Sequence, residues 1–134
     1  MTMVYIDTSA FIAVIDADDI YHKQAVDLWI DLLKTNTKLI CSNYVLLETC
    51  ALLQRRLGMD ALLAFLEYMY PVIKIKWVGH SVHKDGIDTL LAAGRRKLSL
   101  VDCVSFAIMR QFGIRKFFSF DKHFSEQGFI DASR

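Results

Sequence analysis

The chain has 134 residues, 54% of them hydrophobic, and its 16 basic and 15 acidic side chains leave a formal net charge of +1. That length suits one domain, expected over residues 1–134, able to bury about two thirds of the surface its unfolded form exposes. The near-neutral balance excludes a polycation held on nucleic acid by bulk charge, no apolar run nears the ~18 residues that span a bilayer, and no signal peptide is evident, so a cytoplasmic protein is expected.

In chain order, Val4, Tyr5 and Ile6 form a short β-branched and aromatic run that suits a strand buried on both faces, with Asp7 at its carboxyl end. In open parallel sheets ligands bind beyond the carboxyl ends of the strands, which gives this acid functional weight. A structural reading competes with it. Thr8 or Ser9 can cap the helix starting near Ser9, and an acid at that end gains about 0.3–1 kcal/mol from the helix dipole. A second helix is expected over residues 21–34, with Ala25, Leu28, Trp29, Leu32 and Leu33 at helical spacing, and a strand over 38–41. Two helices follow Ser42, broken at Gly58, the later one carrying the stripe Ala61, Leu62, Phe65, Leu66 and Met69. After Pro71 come a strand over 72–78, helices over 81–95 and 100–112, the latter stopped by Gly113, and a strand over 116–120. This alternation implies a parallel α/β sandwich. The hydrophobic surplus implies that some apolar surface covers a second copy of the chain or another protein. Cys41, Cys50 and Cys103, without C-x-x-C spacing and in apolar surroundings, read as reduced thiols.

Three more acids stand out. Glu48 interrupts the apolar face made by Tyr44, Val45, Ala51 and Leu52 instead of joining the surface of Gln54, Arg55 and Arg56. Asp102 fits a capping box with Ser99, and Ser105 one turn on shares its edge of the helix. Asp121 ends an aromatic strand as Asp7 ends the first. If these four acids converge, carboxylates about 4 Å apart repel by about 4 kcal/mol at an effective dielectric of 20, which is poor architecture unless a hard cation sits among them. Oxygen ligands favour Mg²⁺ or Mn²⁺. His80 and His83 lack partners at zinc spacing, His22 carries no signal, and His123 reads as a surface turn residue.

The ordered set "DTSAFIA", "SNYVLLET", "LSLVDCVSFAIM" and "FSFDKHF" resembles the PIN domain over nearly the whole chain, and more narrowly the VapC-type toxins of toxin–antitoxin pairs. The resemblance implies a Rossmann-like α/β sandwich with a mainly parallel sheet of four or five strands flanked by helices, Mg²⁺- or Mn²⁺-dependent endoribonuclease activity on single-stranded or structured RNA, homodimerisation and inhibition by a cognate antitoxin. It places Asp7, Glu48, Asp102 and Asp121 as the catalytic and metal-binding acids, supported by the hydroxyls of Thr8, Ser9 and Ser105. An acidic crevice repels RNA, so basic residues must flank it, and Arg95, Arg96 and Lys97 precede Asp102 closely enough to serve. Two rival readings are an inactive PIN scaffold kept as a protein-binding module, against which all four acids speak, and an aspartate-dependent phosphatase. Against the latter, Ser9 stands where a haloacid-dehalogenase-like site would place a second acid.

Overall fold

Among the residues described by the computed structural model, 2–134, five strands form one parallel sheet. They are β1 (Met3–Ile6), β2 (Lys38–Ser42), β3 (Lys74–Lys76), β4 (Lys116–Phe118) and β5 (Ile130–Asp131), in the order β3-β2-β1-β4-β5. β1 is central. Val4 pairs with Leu39 and Lys116, and Tyr5 with Ile40 and Phe117, which accounts for the uninterrupted apolar run: Val4, Tyr5 and Ile6 are covered on both faces. The chain builds outward from β1 through β2 to β3, then crosses to β4 and β5. The strand order therefore reverses between β1 and β4, and a crevice opens at their carboxyl ends.

Seven α-helices are formed among these residues: α1 (Thr8–Ile15), α2 (His22–Lys34), α3 (Asn43–Leu57), α4 (Met59–Ala64), α5 (His80–Ala93), α6 (Leu100–Gln111) and α7 (His123–Glu126). Ala25, Trp29 and Leu32 carry the buried stripe of α2. A π-helical turn, Phe65–Met69, extends α4 and turns Phe65 and Met69 into the core, where Phe65 packs edge-on against Phe11 at 5.1 Å. Each such buried ring contributes about 1.5–3 kcal/mol by leaving water. Helices α5 and α6 approach closely at Gly86, where a Cβ would lie 2.6 Å from Val104 Cγ2, so only glycine fits without repacking.

Several expected boundaries move, each for a local reason. The first helix begins at Thr8, and Asp7 occupies the cap position without a side-chain capping bond, so neither Thr8 nor Ser9 is the cap. The strand expected over 72–78 pairs only at Lys74–Lys76, because Tyr70–Val72 forms a 3₁₀ turn with Pro71 in its first half. The strand expected over 116–120 ends at Phe118, since Ser119 and Phe120 turn their polar groups toward the crevice. Helix α5 stops before Gly94, which adopts a left-handed φ of 60°, and so releases Arg95 from the helix. All three cysteines are free.

Candidate active site

Asp7 follows β1, Asp121 follows β4 by three residues, Asp102 lies in the first turn of α6 and Glu48 on α3; all four line one open cleft of about 700 Å³. Serine hydroxyls organise the floor. Ser119 Oγ and Ser9 Oγ both lie within hydrogen-bonding distance of Asp7 Oδ2, at 3.0 and 3.1 Å, and of each other at 3.0 Å. Ser119 Oγ also accepts the backbone N–H of Asp121 at 3.0 Å, and Ser9 Oγ that of Phe120 at 2.9 Å. Asp102 closes a capping box with Ser99: its N–H donates to Ser99 Oγ at 3.0 Å and its Oδ2 accepts the Ser99 N–H at 3.1 Å. The structural role read for Asp102 is therefore real, and the same side chain also reaches the cleft.

The electrostatics follow from this crowding. Burial pushes the Asp7 carboxyl up to about 7, and the charge of Asp102 adds to the rise, against the lowering hydrogen bonds from Ser119, the Thr8 backbone and Ser9. Asp102 is also raised, first by burial and further by the charge of Asp121, while the bonds from Ser99 act in the opposite sense. Buried carboxylates beside further acids form a set of hard oxygen donors that suits a divalent cation. Asp102, Asp121 and His123 each offer a ligand atom within 4.8 Å of the others. Both nitrogens of His123 already face protein acceptors, Nδ1 at 3.0 Å from Glu126 Oε1 and Nε2 at 3.2 Å from the Lys97 carbonyl, so the carboxylates are the better donors.

The remaining candidates divide. Thr8 and Ser9 line the cleft, and Thr8 Oγ1 accepts from the buried Thr49 at 3.4 Å. Ser105, expected to share an edge with Asp102, instead lies fully buried and accepts from the Tyr5 hydroxyl at 2.8 Å, inside the core and off the cleft lining. Of the basic trio only Lys97 lines the cleft; Arg95 is drawn to Glu126 at 3.3 Å, and Arg96 is exposed elsewhere. His123 is not the surface turn residue expected but is 5% exposed, tying α7 to the 95–97 segment. Ser119, Tyr21 and Lys122 line or support the cleft with no expectation attached to them, while Arg56, read from the sequence as part of a surface that Glu48 does not join, lines the same cleft as Glu48. Ser119 carried one faint signal, a small hydroxyl at the end of an aromatic strand just before an acid, the mirror of Thr8 and Ser9 after Asp7.

A family model described as PIN domain matches residues 4–130. The 23S rRNA-specific endonuclease VapC20 of Mycobacterium tuberculosis is 34% identical to this chain over 131 residues, 97% of this chain and 98% of that one, in strain H37Rv and equally in strain CDC 1551 / Oshkosh. The crystal structure of M. tuberculosis VapC20, described as a Sarcin-Ricin loop cleaving toxin, is similar with a TM-score of 0.86 and 32% identity, over 96% of this chain and 98% of that one.

Proposed function

The chain belongs to the PIN domain family, and from that premise we propose that it is a Mg²⁺- or Mn²⁺-dependent endoribonuclease, the toxin of a toxin–antitoxin pair, acting in the cytoplasm on structured RNA. The observation that carries this reading is the meeting of Asp7, Glu48, Asp102 and Asp121 in one cleft at the point where the strand order reverses. The relative described as a 23S rRNA-specific endonuclease supports the substrate class.

Asp102 and Asp121, whose carboxylates come within ligand distance of one another, and Asp7 beside them would hold the ion, with Glu48 reaching it directly or through water. A bound divalent ion supplies a water of lowered pKa and charge stabilisation on the phosphate during an in-line displacement. The protein's own share is orientation. Ser119 and Ser9 fix the rotamer of Asp7, the capping box fixes Asp102, and the His123 backbone N–H donates to Asp121 Oδ1 at 2.9 Å. Arg56, Lys97 and Lys122 at the lining offset the acidic floor and draw in flanking phosphates. Exposed apolar residues such as Leu47, Leu57, Met59 and Leu63 on α3 and α4 support homodimerisation and antitoxin binding. No helix among the described residues is long and apolar enough to cross a membrane.

The test is cleavage of a synthetic sarcin–ricin stem-loop and of an unstructured RNA with Mg²⁺ or Mn²⁺, with EDTA as the control. Cleavage that survives EDTA, or hydrolysis of small phosphate esters in place of RNA, overturns the reading.

A further inference from the structure

Tyr21 and Phe120 stack ring on ring at the cleft, with centroids 4.4 Å apart and planes 5° from parallel. Phe118 supports Phe120 edge-on at 6.0 Å, and Phe120 and Tyr21 both line the cleft that holds the four acids. Tyr21 is 38% exposed, in a molecule whose other stacked rings, such as Phe117 and Phe124, are sealed in the core. We propose that the outward face of Tyr21, backed by Phe120, is a shelf on which one nucleobase of the bound RNA stacks beside the phosphate to be cut.

This rests on the endoribonuclease reading above and adds a base-binding position to it. The shelf is built in place. Phe120 immediately precedes Asp121, and its N–H donates to Ser9 Oγ, the same hydroxyl that contacts Asp7, so the ring is fixed relative to the acids. Tyr21 is set by a side-chain turn in which its N–H donates to Asp19 Oδ1 at 2.8 Å, and His22 Nδ1 meets the Ala13 carbonyl at 2.8 Å just beyond. Ordering a ring before binding removes an entropic cost from the complex. A flat aromatic face suits a nucleobase, because every base has a π-face, and the nearby Arg56, Lys97 and Lys122 suit the phosphates on either side of it. The shelf thus selects an unpaired, splayed base over one held in a duplex stack, and it does so without reading which base it is.

The alternative role for this pair is a loop anchor, and leucine separates the two. Tyr21→Leu still covers Phe120 with apolar atoms but offers no ring to a base. The experiment titrates the full-length protein, in EDTA so that nothing is cut, against a synthetic stem-loop RNA carrying 2-aminopurine at successive loop positions. The expected result is strong fluorescence quenching at one position with the wild type, retained in Tyr21→Phe and lost in Tyr21→Leu, with RNA binding weakened about fivefold or more in the leucine variant. RNA binding without quenching at any position, or quenching that persists in a folded Tyr21→Leu, overturns the shelf and leaves the ribonuclease reading standing. A wild type that binds no RNA in EDTA and cuts none once Mg²⁺ or Mn²⁺ is supplied removes both, and one that cuts with metal yet quenches no loop position removes the shelf alone.

Discussion

Ser119 and Asp7, 112 positions apart in the chain, meet at a hydroxyl: Ser119 Oγ donates to Asp7 Oδ2 at 3.0 Å while accepting the Asp121 N–H. One serine thereby couples the acid after β1 to the acid after β4. Removing it frees the Asp7 rotamer and removes a bond that lowers its pKa. Ser119→Ala is expected to reduce RNA cleavage by about 10- to 100-fold, as losses of groups that orient metal ligands do. The pH at which activity rises should also move upward. A pH–rate profile of the variant superimposable on the wild type would show that this bond does not set Asp7.

The raised carboxyl of Asp7 makes a signed prediction for the metal-free protein. A carboxyl whose folded pKa lies above its unfolded value keeps its proton longer when folded, so it costs nothing below the unfolded pKa and destabilises increasingly as pH rises through the interval between the two. Here that interval runs from its ordinary 3.8 to about 7. In EDTA, wild-type stability is expected to fall relative to Asp7→Asn across it, by up to about 1.4 kcal/mol per pH unit, and to level off above. Denaturant unfolding of both proteins from pH 4 to pH 8 measures the difference. A difference that does not change with pH would mean that Asp7 is ionised throughout.

Asp102 closes the cap of α6 and, on the proposed function, also binds the ion, and asparagine separates the two roles. Its side-chain oxygen can still accept the Ser99 N–H, so Asp102→Asn should change stability by about 1 kcal/mol or less in the metal-free state. Cleavage should be lost. A divalent ion at a hundredfold excess over its Kd adds about 2.7 kcal/mol to a protein that binds it only when folded, so the wild type should show a clear rise in Tm with Mn²⁺ and Asp102→Asn much less. Equal Mn²⁺ shifts in the two proteins would place the ion elsewhere.

The basic residues near the cleft should act unequally. Lys97 and Arg56 line it, whereas Arg95 is drawn to Glu126, which His123 holds in turn. Lys97→Ala and Arg56→Ala are each expected to lower the slope of log Kd for RNA against log salt by about 0.7 to 0.9, the loss of one phosphate contact. Arg95→Ala should leave that slope unchanged, and its exposed, solvent-screened ion pair should add little to stability. A reduced salt slope in Arg95→Ala would return the guanidinium to the RNA.

What could be read in the one-dimensional order was what local chemistry decides. The continuous apolar run at Val4–Ile6 announces a strand covered on both faces, the Ser99–Asp102 spacing announces a capping box, and Gly58 and Gly113 mark helix ends, because each depends on residues a few positions apart. The four acids were likewise visible, as charges at strand ends or on apolar helix faces. Only the tertiary structure could decide which hydroxyls serve them, because that choice depends on strand order. β4 lies beside β1, so Ser119 reaches Asp7, whereas the inward turn of α6 sends Ser105 to Tyr5 in the core. The burial of His123 and the stacking of Tyr21 on Phe120 have the same origin: side chains distant in sequence share a position only after the sheet brings their loops to one edge.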